Sequence, residues 1–301
     1  MKPTRSLQRI LVIGETHFVG KRLIIQFLKE HQDVEIWVEE SAMFNDISKQ
    51  INRKIHFLEV SNEKNLLEAW QIYSWDIILH LVSNYGENDA EYKIQLANQK
   101  SFIGGAVSKL VETTNLKPLY VEIESDWVFS KSVSRELEAE VVENNILYLE
   151  NYAHRICIET TNILSKDMQP NHWVLSFIAS LKSKKKFGVP YGGAILRDWI
   201  ALEDYVEAII NILKKGSVGE DYTVIGFNEW TNYDLMLLIG ATYDRLEIRE
   251  NGAFKTQLCN EKIVCRSSYK ETKMGVSYIA LDDLYSPRSI YDVIEQLVTK
   301  V

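Results

Sequence analysis

Short apolar runs alternate with amphipathic helical patterns through the first half of this chain of 301 residues. The apolar runs predict strands at residues 9–14, 34–38, 55–60, 76–82 and 119–123. Helical periodicity predicts helices at residues 19–30, 62–70 and 91–113. This alternation predicts an α/β fold in which helices cover a doubly wound parallel sheet with right-handed crossovers.

Composition and charge exclude several classes of partner. Acidic residues outnumber basic residues by 42 to 34, so the formal net charge is −8, whereas nucleic acids and anionic membranes attract basic surfaces. Cys157, Cys259 and Cys265 form no CxxC pair, which favours reduced thiols over a disulfide framework or a metal site. Neither a signal-peptide pattern nor an apolar run of about 20 residues is present. We therefore expect a cytoplasmic protein with no nucleic-acid, membrane or metal partner.

The segment between the first strand and the first helix, Gly14-Glu-Thr-His-Phe-Val-Gly20, is typical of a dinucleotide-binding turn. Such a turn needs glycines so that the backbone can approach a pyrophosphate, and it leads into a helix whose amides face the anion. Gly14 and Gly20 supply two of the three expected glycines, and His17 replaces the middle one. The imidazole either obstructs the phosphates or donates a hydrogen bond to one of them, and the sequence leaves both possibilities open.

Motifs further along the chain resemble those of the extended short-chain dehydrogenase/reductase family, the NAD-dependent epimerases and dehydratases of nucleotide sugars. Residues 76–82, D-I-I-L-H-L-V, are similar to the family's Asp-x-x-x-His-Leu-Ala strand, and residues 125–129 to its Ser/Thr-x-x-Val-Tyr strand end. The most specific matches are L-R-D-W-I-A-L-E-D at 196–204 and G-E-D-Y-T-V-I-G at 219–226, which resemble the dehydratase branch. The resemblance implies a Rossmann-type NAD-binding domain at residues 1–165, interleaved with a smaller substrate-binding lobe at residues 166–301.

The resemblance also implies which residues bind NAD and substrate. The expected cofactor-binding residues are Gly14, His17, Phe18, Val19, Gly20, Glu39, Glu40, Glu59, Val60, Leu81, Val82, Asn98 and Arg155. Glu39 or Glu40 is expected to accept hydrogen bonds from the adenosine ribose, and an acid there favours NAD over NADP. Arg197 is expected to bind the diphosphate of a nucleoside-diphosphate sugar, and Tyr191 to pack against its base.

The catalytic part of the family pattern is incomplete. The family uses a Tyr-x-x-x-Lys pair, but the residue four positions after Tyr152 is Ile156, and a shifted alignment puts Arg155 in place of the lysine. Ser125, Asp126 and Tyr152 are the catalytic residues that the resemblance implies. A tyrosine with no cation beside it is about 0.1% ionised at pH 7, which costs about 10³ in rate. We therefore expect impaired or altered catalysis, with NAD bound weakly or lost.

Two other functions compete with that of an impaired nucleotide-sugar dehydratase or epimerase. One is a non-catalytic nucleotide-binding or regulatory subunit of a larger complex. The other is a different redox reaction in which His17 or His154 supplies the missing base. Because the family pairs two helices from each subunit, the resemblance also implies a homodimer or hetero-complex through a four-helix interface formed by residues 91–113 and 147–164.

Overall fold

The computed structural model describes residues 8–14, 18–31, 33–39, 55–58, 63–82, 90–114, 116–124, 144, 147–168, 170, 172–188, 193–194, 196–251 and 286–300. The chain divides into two compact units. The first unit comprises Met1–Thr160 and Val206–Thr223, and the second comprises Thr161–Tyr205 and Val224–Val301.

A seven-stranded sheet forms the centre of the first unit. Its strands are β1 (Arg9–Gly14), β2 (Glu35–Glu39), β3 (His56–Leu58), β4 (Ile77–Val82), β5 (Leu119–Glu124), β6 (Arg155–Thr160) and β9 (Asp221–Val224). Their order across the sheet is β3-β2-β1-β4-β5-β6-β9, and the pairings from β3 to β6 are parallel. The strand order reverses between β1 and β4, as in a doubly wound sheet. The predicted α/β architecture is therefore confirmed.

Three helices belong wholly to the first unit: α1 (Phe18–Glu30), α2 (Glu63–Tyr73) and α3 (Ala90–Thr114). Helix α5 (Leu202–Lys215) belongs to it from residue 206 onward. Helix α1 buries an apolar stripe that includes Leu23 and Phe27. Helices α2 and α3 share a core cluster with the strands, in which Trp70 and Ile103 are fully buried. Burying a large apolar side chain contributes about 1.5–3 kcal/mol, so these stripes fix the helices on the sheet.

Residues 147–164 do not form the helix that the four-helix interface requires. A short helical segment covers residues 147–150, and Arg155–Thr160 is strand β6. Ile156 and Ile158 are fully buried within β6, as β-branched residues are in a central parallel strand. The helix predicted over residues 147–164 is therefore wrong, and the oligomeric state stays a prediction. On the other helix, α3, Val107 is fully buried in the chain's own core.

A polar network is buried within the first unit, between β4, β5 and α3. His80 on β4 is inaccessible to solvent, and its Nδ1 lies 2.8 Å from the Tyr120 hydroxyl, which lies 3.2 Å from Glu122 Oε2. Lys100 on α3 forms an ion pair with Glu122, and the side chains are 17% and 4% exposed, respectively. Burial lowers the pKa of His80, and the Glu122 carboxylate opposes this shift. The network ties α3 to the two central strands.

The second unit contains a three-stranded sheet of β7 (Asn162–Leu164), β8 (Leu196–Ala201) and β10 (Glu229–Thr231) in the order β10-β8-β7. Strand β8 pairs antiparallel with β10 and parallel with β7. Three helices complete the unit: α4 (Trp173–Lys182), α6 (Asn232–Asn251) and α7 (Ile290–Lys300). Across the described ranges of both units, no helix has the length and apolar character needed to cross a membrane.

Candidate functional site

In the first unit, the candidate site lies at the carboxyl end of β1. Gly14 has a φ of +103°, and a Cβ added to it would lie 2.3 Å from the carbonyl oxygen of Leu81 on β4. Only glycine permits both this conformation and this approach between strands. Phe18, Val19 and Gly20 open helix α1 and are buried. A glycine that ends β1 at the strand-order reversal, four residues before a buried helix start, fits the pyrophosphate of a dinucleotide.

Other predicted cofactor residues lie at the same edge or outside the described residues. Leu81 is buried and pairs with Gly14, while Glu39 and Val82 are the last residues of β2 and β4. Asn98 is exposed on α3. The predicted residues outside the described ranges are His17, Glu40, Glu59, Val60, Ser125, Asp126 and Tyr191.

Tyr152 lies at the opposite end of the strands. It precedes β6, and its hydroxyl donates to the carbonyl oxygen of Pro118, immediately before β5, at 3.1 Å. Burial, together with the neighbouring Tyr148, raises the pKa of the Tyr152 phenol above its ordinary value. A phenol that donates to a carbonyl and resists ionisation is a poor general base.

The strand register shows how far Tyr152 is from the dinucleotide edge. Gly14 is level with Leu81, and Leu81 is level with Ile123 on β5. Ile123 lies five residues beyond Pro118, or about 16 Å at about 3.3 Å per residue. The structure thus argues against the catalytic role predicted for Tyr152, because its hydroxyl is held at the amino end of the sheet.

Arg155 and His154 share this position at the amino end. Arg155 is the first residue of β6, and its Nη2 donates to Asp221 Oδ1 at 2.9 Å. His154 Nδ1 lies 3.3 Å from the Pro118 carbonyl oxygen. Arg155 is therefore paired within the sheet, away from Gly14, instead of standing in for the family lysine. His154 is equally far from the dinucleotide edge, which argues against its use as a replacement base.

In the second unit, Arg197 is held in a polar cluster on β8. Its Nη1 donates to Asn162 Oδ1 on β7 at 2.7 Å. The neighbouring Asp198 accepts hydrogen bonds from the Thr161 hydroxyl at 2.9 Å and from the backbone N–H groups of Gly226 and Asn228, both at 2.6 Å. Asp198 thus fixes the turn before β10 against the strand that carries Arg197. A guanidinium held in this way is a preorganised anion ligand.

His172 supports the same cluster from the start of α4. Its Nδ1 accepts the backbone N–H of Val174 at 3.3 Å, which makes it the N-cap of the helix. Burial, and secondarily the positive charge of Arg197, lowers the pKa of His172 to about 4. His172 is therefore neutral at pH 7, and its Nε2 carries the proton because Nδ1 is an acceptor.

Sequence reasoning missed Asn162, His172 and the clamp made by Asp198. The signal for Asp198 was its place in the R-D-W motif, directly after Arg197. Asn162 and His172 lie 35 and 25 residues before Arg197 in the chain, so no local pattern joins them to it. Among the described residues, no group of three or more His, Cys, Asp or Glu side chains is placed to hold a metal ion.

Part of the chain is similar to proteins of a known family. The model of the NAD dependent epimerase/dehydratase family matches residues 146–225. A dTDP-glucose 4,6-dehydratase of Xanthomonas campestris is 31% identical over 152 residues, which cover 49% of this chain and 39% of that protein. The chain thus matches well under two thirds of that relative's length.

Solved structures share the fold. The crystal structure of dTDP-glucose 4,6-dehydratase from Bacillus anthracis in complex with NAD superposes with a TM-score of 0.66 at 16% identity, covering 97% of this chain and 96% of that chain. UDP-glucose 4-epimerase of Thermotoga maritima, solved with UDP-glucose, gives a TM-score of 0.64 at 13% identity, covering 97% and 98%. The resemblance predicted from the motifs is confirmed: the chain is similar to proteins of the NAD dependent epimerase/dehydratase family, among them dTDP-glucose 4,6-dehydratases.

Proposed function

We propose that this protein binds NAD in its first unit and a nucleoside-diphosphate sugar through Arg197 in its second unit, with catalysis that is impaired or altered relative to the dehydratases it resembles. NAD, when bound, supplies a hydride acceptor at its nicotinamide ring. The residues of this chain supply the binding turn and the diphosphate ligand.

Support for NAD comes from the turn at Gly14. The close approach to the Leu81 carbonyl leaves no room for a side chain at Gly14, and the buried start of α1 comes four residues later. These features fit a pyrophosphate group, and the Bacillus anthracis relative is described as an NAD complex. Because His17 replaces a family glycine, we propose that NAD binds weakly.

Support for a sugar diphosphate comes from the surroundings of Arg197. Asn162 orients the guanidinium, and Asp198 fixes the adjoining turn by two backbone hydrogen bonds and also accepts one from the Thr161 hydroxyl. A planar, permanently charged fork suits a diphosphate. The pKa of His172 is lowered to about 4, so this imidazole stays neutral at pH 7 and does not change the charge of the cluster near that pH.

The observation that carries the reduced catalysis is the position of Tyr152. Proton abstraction from a sugar hydroxyl requires a base within about 3 Å of that proton. The Tyr152 hydroxyl instead donates to Pro118 at the amino end of the sheet, and Arg155 pairs with Asp221 there. The expected rate loss is at least the 10³ or so that an un-ionised phenol costs.

The test is to measure binding and turnover separately on the purified chain. Calorimetry should detect NAD and dTDP-glucose, and Arg197→Lys should weaken dTDP-glucose binding at least tenfold without changing NAD binding. Arg245→Lys is the matched control, because Arg245 is an exposed arginine of the same unit that pairs with Glu295 at 2.8 Å. Robust conversion of dTDP-glucose to a 4-keto-6-deoxy product would overturn the impaired catalysis. Failure to bind either ligand would overturn the proposed function as a whole.

A second candidate is the non-catalytic subunit of a larger complex, which the position of Tyr152 equally favours. Native purification followed by mass spectrometry distinguishes the two. Released NAD with a homo-oligomer supports the nucleotide-sugar protein. A stable hetero-complex without bound nucleotide supports the subunit.

A further inference from the structure

The buried His80 lies next to the narrow approach between β1 and β4. It directly precedes Leu81, whose carbonyl oxygen would lie 2.3 Å from a Cβ on Gly14, and the register sets Ile13 of β1 level with His80. Strand β4 ends at Val82, two residues later, and strand ends open more readily than strand centres. The imidazole is inaccessible to solvent and has a polar neighbour at each ring nitrogen. Its hydrogen bonds therefore bear on the geometry of the proposed dinucleotide turn.

The ion pair of Lys100 with Glu122 sets the direction of these hydrogen bonds. Lys100 keeps Glu122 as a carboxylate, which only accepts. The Tyr120 hydroxyl lies 3.2 Å from Glu122 Oε2 and donates its single proton there. The Tyr120 oxygen then acts as the acceptor toward His80 at 2.8 Å, so the imidazole must carry a proton on Nδ1.

The other ring nitrogen faces the side-chain amide of Gln99 on α3, with 3.2 Å between His80 Nε2 and Gln99 Oε1. A second proton, on Nε2, would make His80 a buried cation. Burial lowers the pKa of His80, and the charge of Lys100 lowers it further. Glu122 and Gln99 oppose this shift without reversing it. His80 is therefore neutral at pH 7, and Gln99 presents its NH₂ group to Nε2, because a 180° rotation of the amide exchanges its oxygen and nitrogen in place.

We propose that His80 is a positioning residue for the dinucleotide turn, protonated on Nδ1 and joining the end of β4 to Tyr120 on β5 and Gln99 on α3. These bonds hold the Leu81 carbonyl close to Gly14 and so preserve the backbone path that a pyrophosphate requires. The inference rests on the NAD binding proposed above. It adds that the turn is held in place from inside the sheet as well as by its own glycine.

The tautomer is tested on the wild-type chain without NAD. ¹⁵N NMR of the histidine side chains should show His80 with a protonated Nδ1 and an unprotonated Nε2 at pH 7. Protonation of Nε2 alone, or of both nitrogens, would overturn the direction assigned to the hydrogen bonds and with it the proposal.

Asparagine and glutamine at residue 80 separate the two ring nitrogens. The amide nitrogen of His80→Asn takes the place of Nδ1 and donates to Tyr120, whereas that of His80→Gln takes the place of Nε2 and loses this bond. Calorimetry should give a Kd for NAD within about twofold of wild type for His80→Asn and about fivefold weaker for His80→Gln, which is the effect of one neutral hydrogen bond. The matched control is Val121→Ala, at a fully buried residue of β5 on the opposite face from Tyr120, which should lower the unfolding free energy but leave NAD affinity unchanged.

The control and the exchange data decide the remaining outcomes. Equal NAD affinities in His80→Asn and His80→Gln, or an equal loss in Val121→Ala, would overturn the positioning role. A wild-type chain that binds no NAD would overturn the proposed function instead. Hydrogen exchange of peptides covering 9–14 and 77–82 still tests the turn in that case, because exchange should be faster in His80→Gln than in His80→Asn. Identical exchange in the two variants would overturn the proposal.

Discussion

The buried Lys100–Glu122 pair allows a quantitative test of how α3 is held on the sheet. Lys100→Met keeps the aliphatic length of the side chain and removes its charge, which leaves the Glu122 carboxylate 4% exposed without its cation. Removing one partner of a buried pair costs about 3–5 kcal/mol. Because the Lys100 side chain is 17% exposed, we expect the lower end of this range, about 3 kcal/mol of unfolding free energy.

The pH dependence separates lost charge pairing from lost packing. In Lys100→Met, protonation of the Glu122 carboxyl removes the unpaired buried charge, so the destabilisation relative to wild type should shrink as the pH falls from 7 to 5. The double variant Lys100→Met/Glu122→Met should recover most of the loss, because an apolar pair of similar volume replaces a buried ion pair at little cost.

Urea unfolding gives the free energies, and hydrogen exchange of peptides covering 77–82 and 119–124 assigns the loss to the first unit. The matched control is Lys64→Met, which breaks a Lys64–Glu68 pair on α2 at 3.6 Å whose side chains are 83% and 60% exposed. An exposed pair of this kind contributes about 0.3–0.5 kcal/mol. Equal losses in Lys100→Met and Lys64→Met, or a loss that does not change with pH, would refute the charge argument.

Three further predictions follow from the sites. Gly14→Ala should destabilise the first unit and abolish NAD binding in calorimetry, because the added Cβ would lie 2.3 Å from a backbone oxygen. In the control Gly219→Ala, φ is +87° but the nearest atom is 3.8 Å from the added Cβ, so the substitution should cost only about 1–2 kcal/mol of backbone strain. Equal destabilisation by the two substitutions would contradict the steric argument. Tyr152→Phe removes one hydrogen bond, so its unfolding free energy in urea should fall by about 0.5–1.5 kcal/mol, while NAD affinity and any residual turnover stay unchanged. A loss of turnover would instead identify Tyr152 as a catalytic residue. His172→Asn retains an N-cap acceptor but cannot titrate. Because the folded-state pKa of His172 is lowered to about 4, the unfolded chain takes up the proton first as the pH falls, so the unfolding free energy of wild type should drop by about 2–3 kcal/mol relative to the variant between pH 6.5 and 4. Parallel curves of unfolding free energy against pH for the two proteins would show that His172 is not buried as a neutral group.

Most strands and helices of the first unit could be predicted from local sequence patterns. Runs such as Ile10 to Ile13, buried on both faces, have one plausible structure when a glycine turn and an amphipathic helix follow. The strand at Arg155–Thr160 was not predicted, because the family's Tyr-x-x-x-Lys pair lies on a helix and the comparison at Tyr152 therefore indicates a helix, although Ile156 and Ile158 are typical of a buried strand.

The polar contacts were not predictable from local pattern. His80 and Tyr120 are separated by 40 residues and meet only because β4 and β5 are neighbours in the sheet. Glu122 alternates with apolar residues on β5 and so resembles a residue on a solvent-facing strand surface. In the candidate site, Arg197 was predicted from its motif, whereas Asn162 required knowledge that β7 pairs with β8.

The chain path gives the first unit an order of assembly during synthesis. Strand β9 completes the seven-stranded sheet, yet it emerges from the ribosome only after residues 161–205 of the other unit. Until then, β6 is a bare edge, and the Arg155–Asp221 contact at 2.9 Å has not formed. A nascent chain that stalls between residues 160 and 220 therefore presents the unprotected edge of β6, the kind of surface that pairs with other chains. We therefore expect translation speed through this interval, as well as the final stability, to affect how much of the protein reaches its folded state.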